Sequence, residues 1–432
     1  MIYKEIQPVK AMEAVITLPG SKSFSHRALI AAGLARGSSS LRNLLRADDT
    51  LMTARALEQL GVRITWQEKE CLLEGAGGRL KVPTEPIYLG DSGTSMRFLT
   101  AVAALGNGRY VLTGSPRLCQ RPIQDLLDAL TLLGVVAHCE NHNGCPPVII
   151  QARGLAGGES RVSGGISSQF LSALLLISPF AARDVEIEVV GELVSRPYVD
   201  ITLSVMEAFG IAYYRRGYQN FCVPAGQRYQ ARDYEVEGDA SSASYFLGAA
   251  ALTGGRITLT NLNPQSCQGD IGFLEVLQQM GCQVEPTGSG VVLRGRQLQA
   301  IRINMAHMPD LVPTLAVLAA YAQGETVITG VPHLRHKESD RLQAVATELA
   351  KMGITVNQTK DGLIIQGGKP RGVVIETYND HRIAMSFALA GLKTPGVMIA
   401  NPDCVAKSFP DFWDYFAKLG TNSALSASKE NS

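Results

Sequence analysis

The sequence predicts an α/β protein of two domains, assembled from six copies of one structural unit. Three observations predict this class: a length of 432 residues, a helix–Gly–strand phrase that recurs at intervals of roughly 70 residues, and a second helix–turn–strand phrase that alternates with it. Because a chain of this length exceeds one ordinary hydrophobic core, we expect two domains of three units each. The middle boundary is expected near Val236-Glu237-Gly238.

The first phrase is an amphipathic helix that ends in glycine and precedes a short strand. A helix C-terminus often needs a residue in the left-handed conformation, which glycine adopts without a steric cost. The phrase ends at Gly61, Gly134, Gly210, Gly281, Gly353 and Gly420. These glycines predict six helices that occupy equivalent places in the repeat.

The second phrase is a helix of small apolar residues, a glycine or polar turn, and a strand rich in β-branched residues. Its copies span residues 28–41, 98–112, 170–190, 245–259, 314–328 and 383–399. These helices lack a polar face, so we expect them to be buried on most sides.

Polar residues cluster immediately before these buried helices. A helix N-terminus offers free N–H groups and the positive end of the helix dipole, and it therefore favours bound anions. N-capping explains Asp239 and Ser241, and it is an alternative explanation for Asp380. Capping does not explain the cations at helix starts, which oppose the dipole: Lys22, Arg27, Arg97 and Arg382. We infer that these cations meet an anionic ligand.

The run from residue 331 to residue 341 places cations around a carboxylate. Lys337 and Arg341 flank Glu338, and their spacing of four puts them on one face if a helix begins here. This combination suits a substrate with several negative charges and an atom that must gain or lose a proton. The alternative interpretation of this stretch, and equally of residues 21–27, is a solvated, charged helix end that binds no substrate.

The composition and charge narrow the functional class. The formal net charge is +1, whereas a nucleic-acid-binding protein normally carries a basic surplus. The first residues lack the pattern of a signal peptide, and the longest apolar run, residues 170–182, is too short to cross a bilayer. Eight scattered cysteines without a C-x-x-C pair fit free thiols in a reducing compartment. We therefore expect a cytoplasmic protein that binds neither nucleic acid nor a membrane.

A group of possible metal ligands occurs between two strand-like runs. His138, Cys139, His142 and Cys145 could form a zinc site. Asn143-Gly144 is a hairpin turn signal, however, and the flanking runs, 135–136 and 148–150, are typical of strands. We favour a hairpin and expect no metal, with zinc as the alternative.

Nine short motifs follow one another in the order of a known enzyme family. They are LPGSKSFSHR (18–27), GDSGTSMR (90–97), QRP (120–122), SSQFL (167–171), SRPY (195–198), EGDASSASYF (237–246), KESDR (337–341), YNDHR (378–382) and AKSFP (406–410). In these motifs the chain resembles the EPSP synthase family of 3-phosphoshikimate 1-carboxyvinyltransferases. The motifs run from residue 18 to residue 410, so the resemblance covers nearly the whole chain.

The resemblance implies a fold and a domain arrangement. Members of the family have a two-domain inside-out α/β barrel with three βαβαββ units in each domain. Transferred to this chain, residues 21–237 form one domain, and residues 1–20 with 238–432 form the other. We expect residues 421–432 to be a disordered tail, and the family implies a monomer.

The resemblance also implies a reaction. The enolpyruvyl group of phosphoenolpyruvate moves to the 5-hydroxyl of 3-phosphoshikimate by addition followed by elimination of phosphate, in the shikimate pathway to chorismate and the aromatic amino acids. This chemistry needs no cofactor and no metal. Glu338 matches the group that moves the proton on carbon, and Asp310 matches the carboxylate that accepts the hydroxyl proton. An N-cap for a helix that starts at Leu311 is the alternative for Asp310. Lys22 matches a catalytic lysine that touches both substrates.

The implied binding residues fall into two sets. Those for 3-phosphoshikimate are Lys22, Ser23, Arg27, Ser167, Ser168, Gln169, Ser195, Asp310, His333 and Lys337. Those for phosphoenolpyruvate are Lys22, Gly93, Arg121, Gln169, Arg341, Arg382 and Lys407. His333 stands where the family frequently has Asn. The inhibitor glyphosate occupies the phosphoenolpyruvate site in the family. Gly93 leaves room for it, although Phe98 replaces a frequent Pro nearby.

Three rival functions were weighed. The related enzyme that acts on a UDP-amino sugar carries a reactive cysteine five residues before its Arg-Pro pair, where this chain has Pro116; Cys119 lies two residues before Arg121. A binding protein without catalysis would be expected to lack an acid/base residue or a cation of the phosphoenolpyruvate set, and none is missing. The spacing of residues 20–23 excludes a P-loop kinase.

Overall fold

Helices alternate with short strands along residues 2–10 and 12–420, which the computed structural model describes. The helices of this part are α1 (Lys22–Leu34), α2 (Asp48–Gln59), α3 (Gly93–Ala103), α4 (Gln124–Leu132), α5 (Ser168–Ile177), α6 (Pro197–Ala208), α7 (Ala240–Thr253), α8 (Phe273–Gln279), α9 (Val312–Ala319), α10 (Arg341–Lys351), α11 (His381–Gly391) and α12 (Phe412–Ala417). Its strands are β1 (Tyr3–Ile6), β2 (Glu13–Ile16), β3 (Arg36–Arg42), β4 (Arg63–Trp66), β5 (Glu70–Ala76), β6 (Ile87–Tyr88), β7 (Asn107–Thr113), β8 (Val136–Cys139), β9 (Val148–Arg153), β10 (Gly158–Ser163), β11 (Val185–Val190), β12 (Tyr214–Arg216), β13 (Asn220–Val223), β14 (Asp233–Glu235), β15 (Arg256–Leu259), β16 (Gln283–Thr287), β17 (Gly290–Arg294), β18 (Arg302–Asn304), β19 (Glu325–Thr329), β20 (Val356–Gln358), β21 (Leu363–Gln366), β22 (Val374–Ile375) and β23 (Val397–Ala400).

The chain divides into two compact units. The continuous segment Lys22–Val236 forms the inserted unit, whereas the residues up to Ser21 and from Glu237 onward form the terminal unit. The sequence analysis placed the first of these units at 21–237, one residue wider at each end. The expected disordered tail, residues 421–432, lies outside the described residues.

Each unit contains three small sheets among its described strands. Those of the inserted unit have the orders β14-β3-β5-β4, β6-β7-β9-β8 and β10-β11-β13-β12, and those of the terminal unit have β2-β15-β17-β16, β18-β19-β21-β20 and β1-β23-β22. Each sheet holds one parallel pair, and its other pairs are antiparallel. This repetition confirms the predicted α/β architecture of six repeats, three in the inserted unit and three in the terminal unit.

The helices of small apolar residues lie in the core of each unit. In the terminal unit α7, α9 and α11 pack against one another, and nearly every residue of these helices is buried. In the inserted unit α5 packs against both α1 and α3, which are buried to the same extent. The first turns of these helices carry the polar residues considered below.

The glycines at the ends of the amphipathic helices behave as expected at five of six positions. Gly61, Gly134, Gly210, Gly281 and Gly353 have φ values of 101°, 88°, 83°, 102° and 84°. A side chain would strain this left-handed conformation, so each glycine ends its helix. The sixth glycine, Gly420, instead closes a 3-10 helix, Lys418–Gly420.

No helix begins at Lys337, so the condition under which Lys337 and Arg341 would share one helical face is not met. A 3-10 helix, Pro332–His336, ends there, and Lys337 is extended. Helix α10 begins four residues later at Arg341, because the Asp340 carboxylate caps it by accepting a hydrogen bond from the backbone N–H of Gln343. Residues 337–340 therefore form a loop, in which Glu338 is not constrained by helical geometry.

The predicted hairpin after α4 is present, since β8 and β9 pair in antiparallel register with Cys139 opposite Val148. Within residues 2–10 and 12–420, no group of three or more His, Cys, Asp or Glu side chains is arranged to hold a metal ion. The same residues include no helix long and apolar enough to cross a membrane.

Candidate active site

Lys22 is the first residue of α1, and an acidic partner holds its ammonium group. Lys22 Nζ lies 3.2 Å from Oδ2 of Asp49, near the start of α2. The Asp49 side chain is 5% exposed, so this carboxylate is buried and directs its charge at the lysine. The sequence analysis missed Asp49, because no motif links two residues that are 27 positions apart.

Arg27 lies one turn further along α1 and is buried. Its guanidinium donates to Thr202 Oγ1 at 2.7 Å and to the backbone oxygens of Ser23 and Tyr198 at 2.8 and 2.9 Å. It also stacks over the ring of Phe98, with its carbon 5.0 Å from the ring centroid. These contacts tie the start of α1 to α6, whereas the predicted binding role of Arg27 stays a prediction.

The start of α5 carries three of the predicted binding residues. Ser167 caps the helix by accepting a hydrogen bond from the backbone N–H of Gln169. The Gln169 side chain accepts from Arg97 Nη1 at 2.5 Å and donates to Thr94 Oγ1 at 2.9 Å. Ser168 is buried beside them. The side-chain amide of Gln169 is therefore fixed between two residues of α3.

Ser195 adopts a backbone conformation that is rare for a residue with a side chain. Its φ is +54°, and its side chain is buried in the loop before α6. A strained residue of this kind persists only where its surroundings hold it, and such residues cluster at functional sites. This observation supports the predicted binding role of Ser195.

Gly93 and Arg121 lie in direct contact within the inserted unit. A methyl group added at Gly93, the first residue of α3, would lie 2.6 Å from Nη1 of Arg121 and 2.7 Å from its guanidinium carbon. Arg121 is buried. Glycine at position 93 therefore gives the guanidinium the space that it occupies.

Arg341 is the centre of a charged cluster in the terminal unit. Its Nη1 lies 2.8 Å from Asp310 Oδ1, its Nη2 lies 2.9 Å from Glu338 Oε2, and its Nε lies 2.8 Å from Asp380 Oδ2. The Arg341 side chain is 1% exposed, so almost none of its charge is solvated by water. Three acidic side chains therefore surround one buried cation, and further cations lie nearby.

The exposure of the three carboxylates separates their possible roles. Asp380 is 0% exposed, whereas Asp310 and Glu338 are 16% and 14% exposed. Asp380 makes its contacts within the protein. It holds Arg341 and Ser339 and caps α11 through the backbone N–H of Arg382. Asp310 and Glu338 are the two carboxylates of this cluster that are partly exposed.

Two further cations lie beside Asp310. Arg382 Nη2 is 2.9 Å from Asp310 Oδ2, and Lys337 Nζ is 3.7 Å from Oδ1. Burial alone would raise the pKa of Asp310, but Arg382, Lys337 and Arg341 outweigh burial and hold that pKa well below its ordinary value. Asp310 is thus an anion at neutral pH. It does not cap a helix, since α9 begins at Val312 without a side-chain cap.

The turn before α11 places Asp380 and Arg382. Tyr378 and Asn379 both have positive φ, at 54° and 55°, and the backbone N–H of Asp380 donates to the carbonyl of Thr377 at 2.8 Å. Two successive left-handed residues closed by this hydrogen bond are typical of a type I′ turn. The Tyr378 hydroxyl donates to Glu348 at 2.7 Å and anchors the turn to α10.

His333 is a buried imidazole at the predicted substrate-binding position. Neither of its ring nitrogens has a hydrogen-bond partner among the described residues. Burial, aided by Lys337, lowers its pKa to about 4, so the ring is neutral at pH 7. A neutral imidazole with both nitrogens available can donate one hydrogen bond to a ligand and accept another.

The remaining predicted residues lie at the edges of these groups. Lys407 is buried at the end of a 3-10 helix, Pro402–Lys407, in the terminal unit. Ser23 lies in the first turn of α1. The inserted unit therefore carries Lys22, Arg97, Arg121 and the hydroxyl groups, and the terminal unit carries two accessible carboxylates within a set of cations. The cations of each unit could bind anions, and the carboxylates of the terminal unit could transfer protons.

Comparisons with known proteins identify the family. The family model described as EPSP synthase (3-phosphoshikimate 1-carboxyvinyltransferase) matches residues 6–416. A curated 3-phosphoshikimate 1-carboxyvinyltransferase of Syntrophobacter fumaroxidans is 46% identical over 419 residues, 96% of this chain and 99% of the relative. Another from a Nostoc species is 45% identical over 413 residues, 95% of this chain and 97% of the relative. The solved EPSP synthase of Acinetobacter baumannii is 32% identical, has a TM-score of 0.81, and covers 97% of this chain and 98% of its own. The chain therefore belongs to the EPSP synthase family of 3-phosphoshikimate 1-carboxyvinyltransferases.

Proposed function

We propose that this chain transfers the enolpyruvyl group of phosphoenolpyruvate to the 5-hydroxyl of 3-phosphoshikimate and releases phosphate, the reaction of its family. The observation that carries the assignment is the cluster around Arg341, where two accessible carboxylates lie among cations. The reaction needs a group that moves a proton on carbon, a group that accepts the hydroxyl proton, and cations for two phosphorylated substrates.

Glu338 is the proposed acid and base for carbon. It adds a proton to the methylene carbon of phosphoenolpyruvate while the 5-hydroxyl bonds to the neighbouring carbon, and Asp310 accepts the hydroxyl proton. The product is a tetrahedral ketal phosphate. Glu338 then removes a proton from the new methyl group, and the C–O bond to phosphate breaks. The position of Glu338 in a loop with 14% exposure supports this role.

The depressed pKa of Asp310 has a consequence for its role as base. In the free protein three cations stabilise its anion, so it attracts a proton weakly. We propose that Arg382 and Arg341, once they also bind phosphoenolpyruvate, share their charge with the substrate. The pKa of Asp310 then rises when the hydroxyl proton must be accepted.

The cations and hydroxyl groups are assigned to the two substrates as the family resemblance implies. Lys22 is proposed to contact both substrates. Arg121, Gln169, Arg341, Arg382 and Lys407 are proposed to bind phosphoenolpyruvate, with Gly93 lining its site. Ser23, Arg27, Ser167, Ser168, Gln169, Ser195, Asp310, His333 and Lys337 are proposed to bind 3-phosphoshikimate. The ring of His333 is neutral at pH 7, so it is expected to bind a hydroxyl group of 3-phosphoshikimate rather than to neutralise its phosphate.

The acceptor specificity tests the proposed function. The purified protein is given phosphoenolpyruvate with 3-phosphoshikimate, with a UDP-amino sugar, or with neither acceptor, and released phosphate is measured. We expect release with 3-phosphoshikimate alone, together with a product heavier than the acceptor by one enolpyruvyl group. Release that depends on the UDP-amino sugar would contradict the proposal and favour the sister enzyme.

Replacing Gly93 by alanine is expected to raise the KM for phosphoenolpyruvate by tenfold or more. The added methyl group would lie 2.6 Å from Arg121 Nη1, so the guanidinium must move away from its site. A charge-assisted hydrogen bond is worth about 1.5–3 kcal/mol, and about 1.4 kcal/mol is a factor of ten. Steady-state kinetics with phosphoenolpyruvate varied at saturating 3-phosphoshikimate give this value.

A matched control for that variant is Gly288→Ala in the turn between β16 and β17. A methyl group there meets no heavy atom within 4 Å, and the glycine has no positive φ, so KM is expected to be unchanged. If Gly93→Ala and Gly288→Ala gave the same KM, Arg121 would not be part of the phosphoenolpyruvate site.

Three further properties are proposed from the family resemblance and the sequence. Glyphosate is expected to inhibit by competing with phosphoenolpyruvate, because it occupies the phosphoenolpyruvate site in the family and this chain keeps glycine at position 93. Full activity at millimolar glyphosate would contradict this.

The eight cysteines are free thiols, which supports action in the cytoplasm. The chain is proposed to act as a monomer, which sedimentation would test.

A further inference from the structure

Asp270 is a buried carboxyl group for which the reaction above has no use. It lies in a 3-10 helix, Gly269–Gly272, just before α8, and it is 6% exposed. Its Oδ1 is buried and has no hydrogen-bond partner among residues 2–10 and 12–420. A buried polar atom without a partner is costly, so this group needs an explanation beyond packing.

The other oxygen of Asp270 begins a chain of hydrogen bonds that leads to Arg382. Ser241, in the first turn of α7, donates its hydroxyl proton to Asp270 Oδ2. The Ser241 oxygen accepts from Arg382 Nη2 at 3.4 Å. The same Nη2 lies 2.9 Å from Asp310 Oδ2. Arg382 thus lies between the proposed base, Asp310, and a second, buried carboxyl group.

Asp310 is ionised at neutral pH, whereas the charge on Asp270 depends on the pH. The charged groups that face it are Arg382 from α11, Asp310 from the segment before α9 and Asp239 at the start of α7. Burial raises the pKa of Asp270 to about 7, although Arg382 and the hydrogen bond from Ser241 act in the opposite direction. The Tyr245 phenol, near Arg382, has a pKa raised to about 12 by burial and stays neutral. Asp270 therefore changes charge within the range in which the enzyme would work.

We propose that Asp270 is a positioning residue for Arg382, that it acts through Ser241, and that its charge sets how strongly Arg382 binds the anionic phosphoenolpyruvate. The inference rests on the proposed function, in which Arg382 binds that substrate. A neutral Asp270 leaves the charge of Arg382 to be shared between Asp310 and the substrate. An ionised Asp270 adds a second negative charge beside the guanidinium and weakens its hold on another anion.

The test is the pH dependence of KM for phosphoenolpyruvate between pH 6 and 9, at saturating 3-phosphoshikimate, in the wild type and in Asp270→Asn. Asparagine keeps the shape and stays neutral, so the wild-type KM is expected to exceed that of the variant by about tenfold at pH 9 and to match it near pH 6. The substrates ionise identically in both assays, so the ratio of the two KM values isolates Asp270. The kcat of the variant is expected to be unchanged.

Two further variants separate this role from a structural one. Asp361→Asn neutralises another carboxylate of the terminal unit, which accepts hydrogen bonds from Gly330 and Thr359, and its KM ratio to the wild type is expected to be independent of pH. Ser241→Ala removes the hydrogen bonds on both sides, so we expect a higher KM at every pH and a smaller rise with pH. This variant keeps the proposal testable if Asp270→Asn does not fold.

Stability gives an independent readout. A carboxyl group whose pKa is raised by folding makes the folded state lose stability as pH rises from about 4 to about 7. The unfolding midpoint of Asp270→Asn is therefore expected to fall less than that of the wild type over this range.

A KM ratio that is independent of pH in both Asp270→Asn and Ser241→Ala would overturn the inference. A wild type that releases no phosphate with 3-phosphoshikimate would instead overturn the proposed function.

Discussion

Arg341→Ala is expected to lower the free energy of unfolding of the terminal unit by about 3–5 kcal/mol, the cost of removing one partner from a buried ion pair. Arg341 is 1% exposed and is bonded to Asp310, Glu338 and Asp380. Without it, the fully buried Asp380 has lost its main cationic partner. Thermal unfolding should shift by roughly 10 °C, at about 2–4 °C for each kcal/mol. Activity is expected to be lost, because Glu338 and Asp310 lose the group that orients them.

The pH dependence of this variant identifies the cause. Burial would raise the pKa of Asp380, but Arg341 lowers it, so in the wild type this carboxylate contributes stability above the unfolded-state pKa of about 4. That contribution disappears as the pH falls through the folded-state value. In Arg341→Ala the stranded carboxylates can instead take up protons, so the deficit in stability should shrink as the solution becomes acidic.

An exposed ion pair provides the control for Arg341→Ala. Arg63 and Glu74 lie 2.8 Å apart, with side chains 83% and 61% exposed, and exposed pairs contribute about 0–1 kcal/mol. Arg63→Ala is therefore expected to unfold almost as the wild type does. A stability loss for Arg341→Ala no larger than that for Arg63→Ala would show that the buried cluster does not hold the terminal unit together.

Asp310→Asn is expected to reduce kcat by about 10²–10⁴, the usual contribution of a general base. The amide keeps the size of the side chain but cannot take the hydroxyl proton. The amide is also neutral, so it does not compete with phosphoenolpyruvate for the positive charges of Arg382, Lys337 and Arg341. The KM for phosphoenolpyruvate should therefore not rise. A fall in kcat without a rise in KM distinguishes the loss of a base from damage to the cations that bind substrate.

Asp361→Asn is the matched control for that variant. The Asp361 carboxylate accepts hydrogen bonds from Gly330 and Thr359 in a loop of the same unit, so the same substitution there tests only the folding of a loop. Its kcat is expected to be close to that of the wild type. An Asp310→Asn enzyme with full kcat would remove Asp310 from the chemistry.

The architecture could be predicted from the sequence because each repeat is marked by short-range sequence patterns. Glycine at the end of an amphipathic helix reports a left-handed residue, and Gly61 and Gly353 show why: their φ values of 101° and 84° exclude most side chains. The cations at helix starts were also visible. Lys22 begins α1 and Arg382 lies in the first turn of α11.

The sequence could not predict which groups these cations meet. Asp49 beside Lys22 and Asp270 behind Arg382 lie in no distinctive motif, and they approach their partners only through the packing of whole helices. The sequence also did not give the start of α10. The spacing of Lys337 and Arg341 fits one helical face, but the cap at Asp340 and the extended Lys337 start the helix four residues later.

The central claim is that Glu338 moves the proton on carbon during an addition–elimination that depends on 3-phosphoshikimate. Its most direct test measures phosphate release from phosphoenolpyruvate, with and without 3-phosphoshikimate, in the wild type and in Glu338→Ala. We predict release that requires 3-phosphoshikimate in the wild type and collapses in the variant. Release that persists in Glu338→Ala would contradict the claim and move the proton chemistry to Lys22 or Asp310.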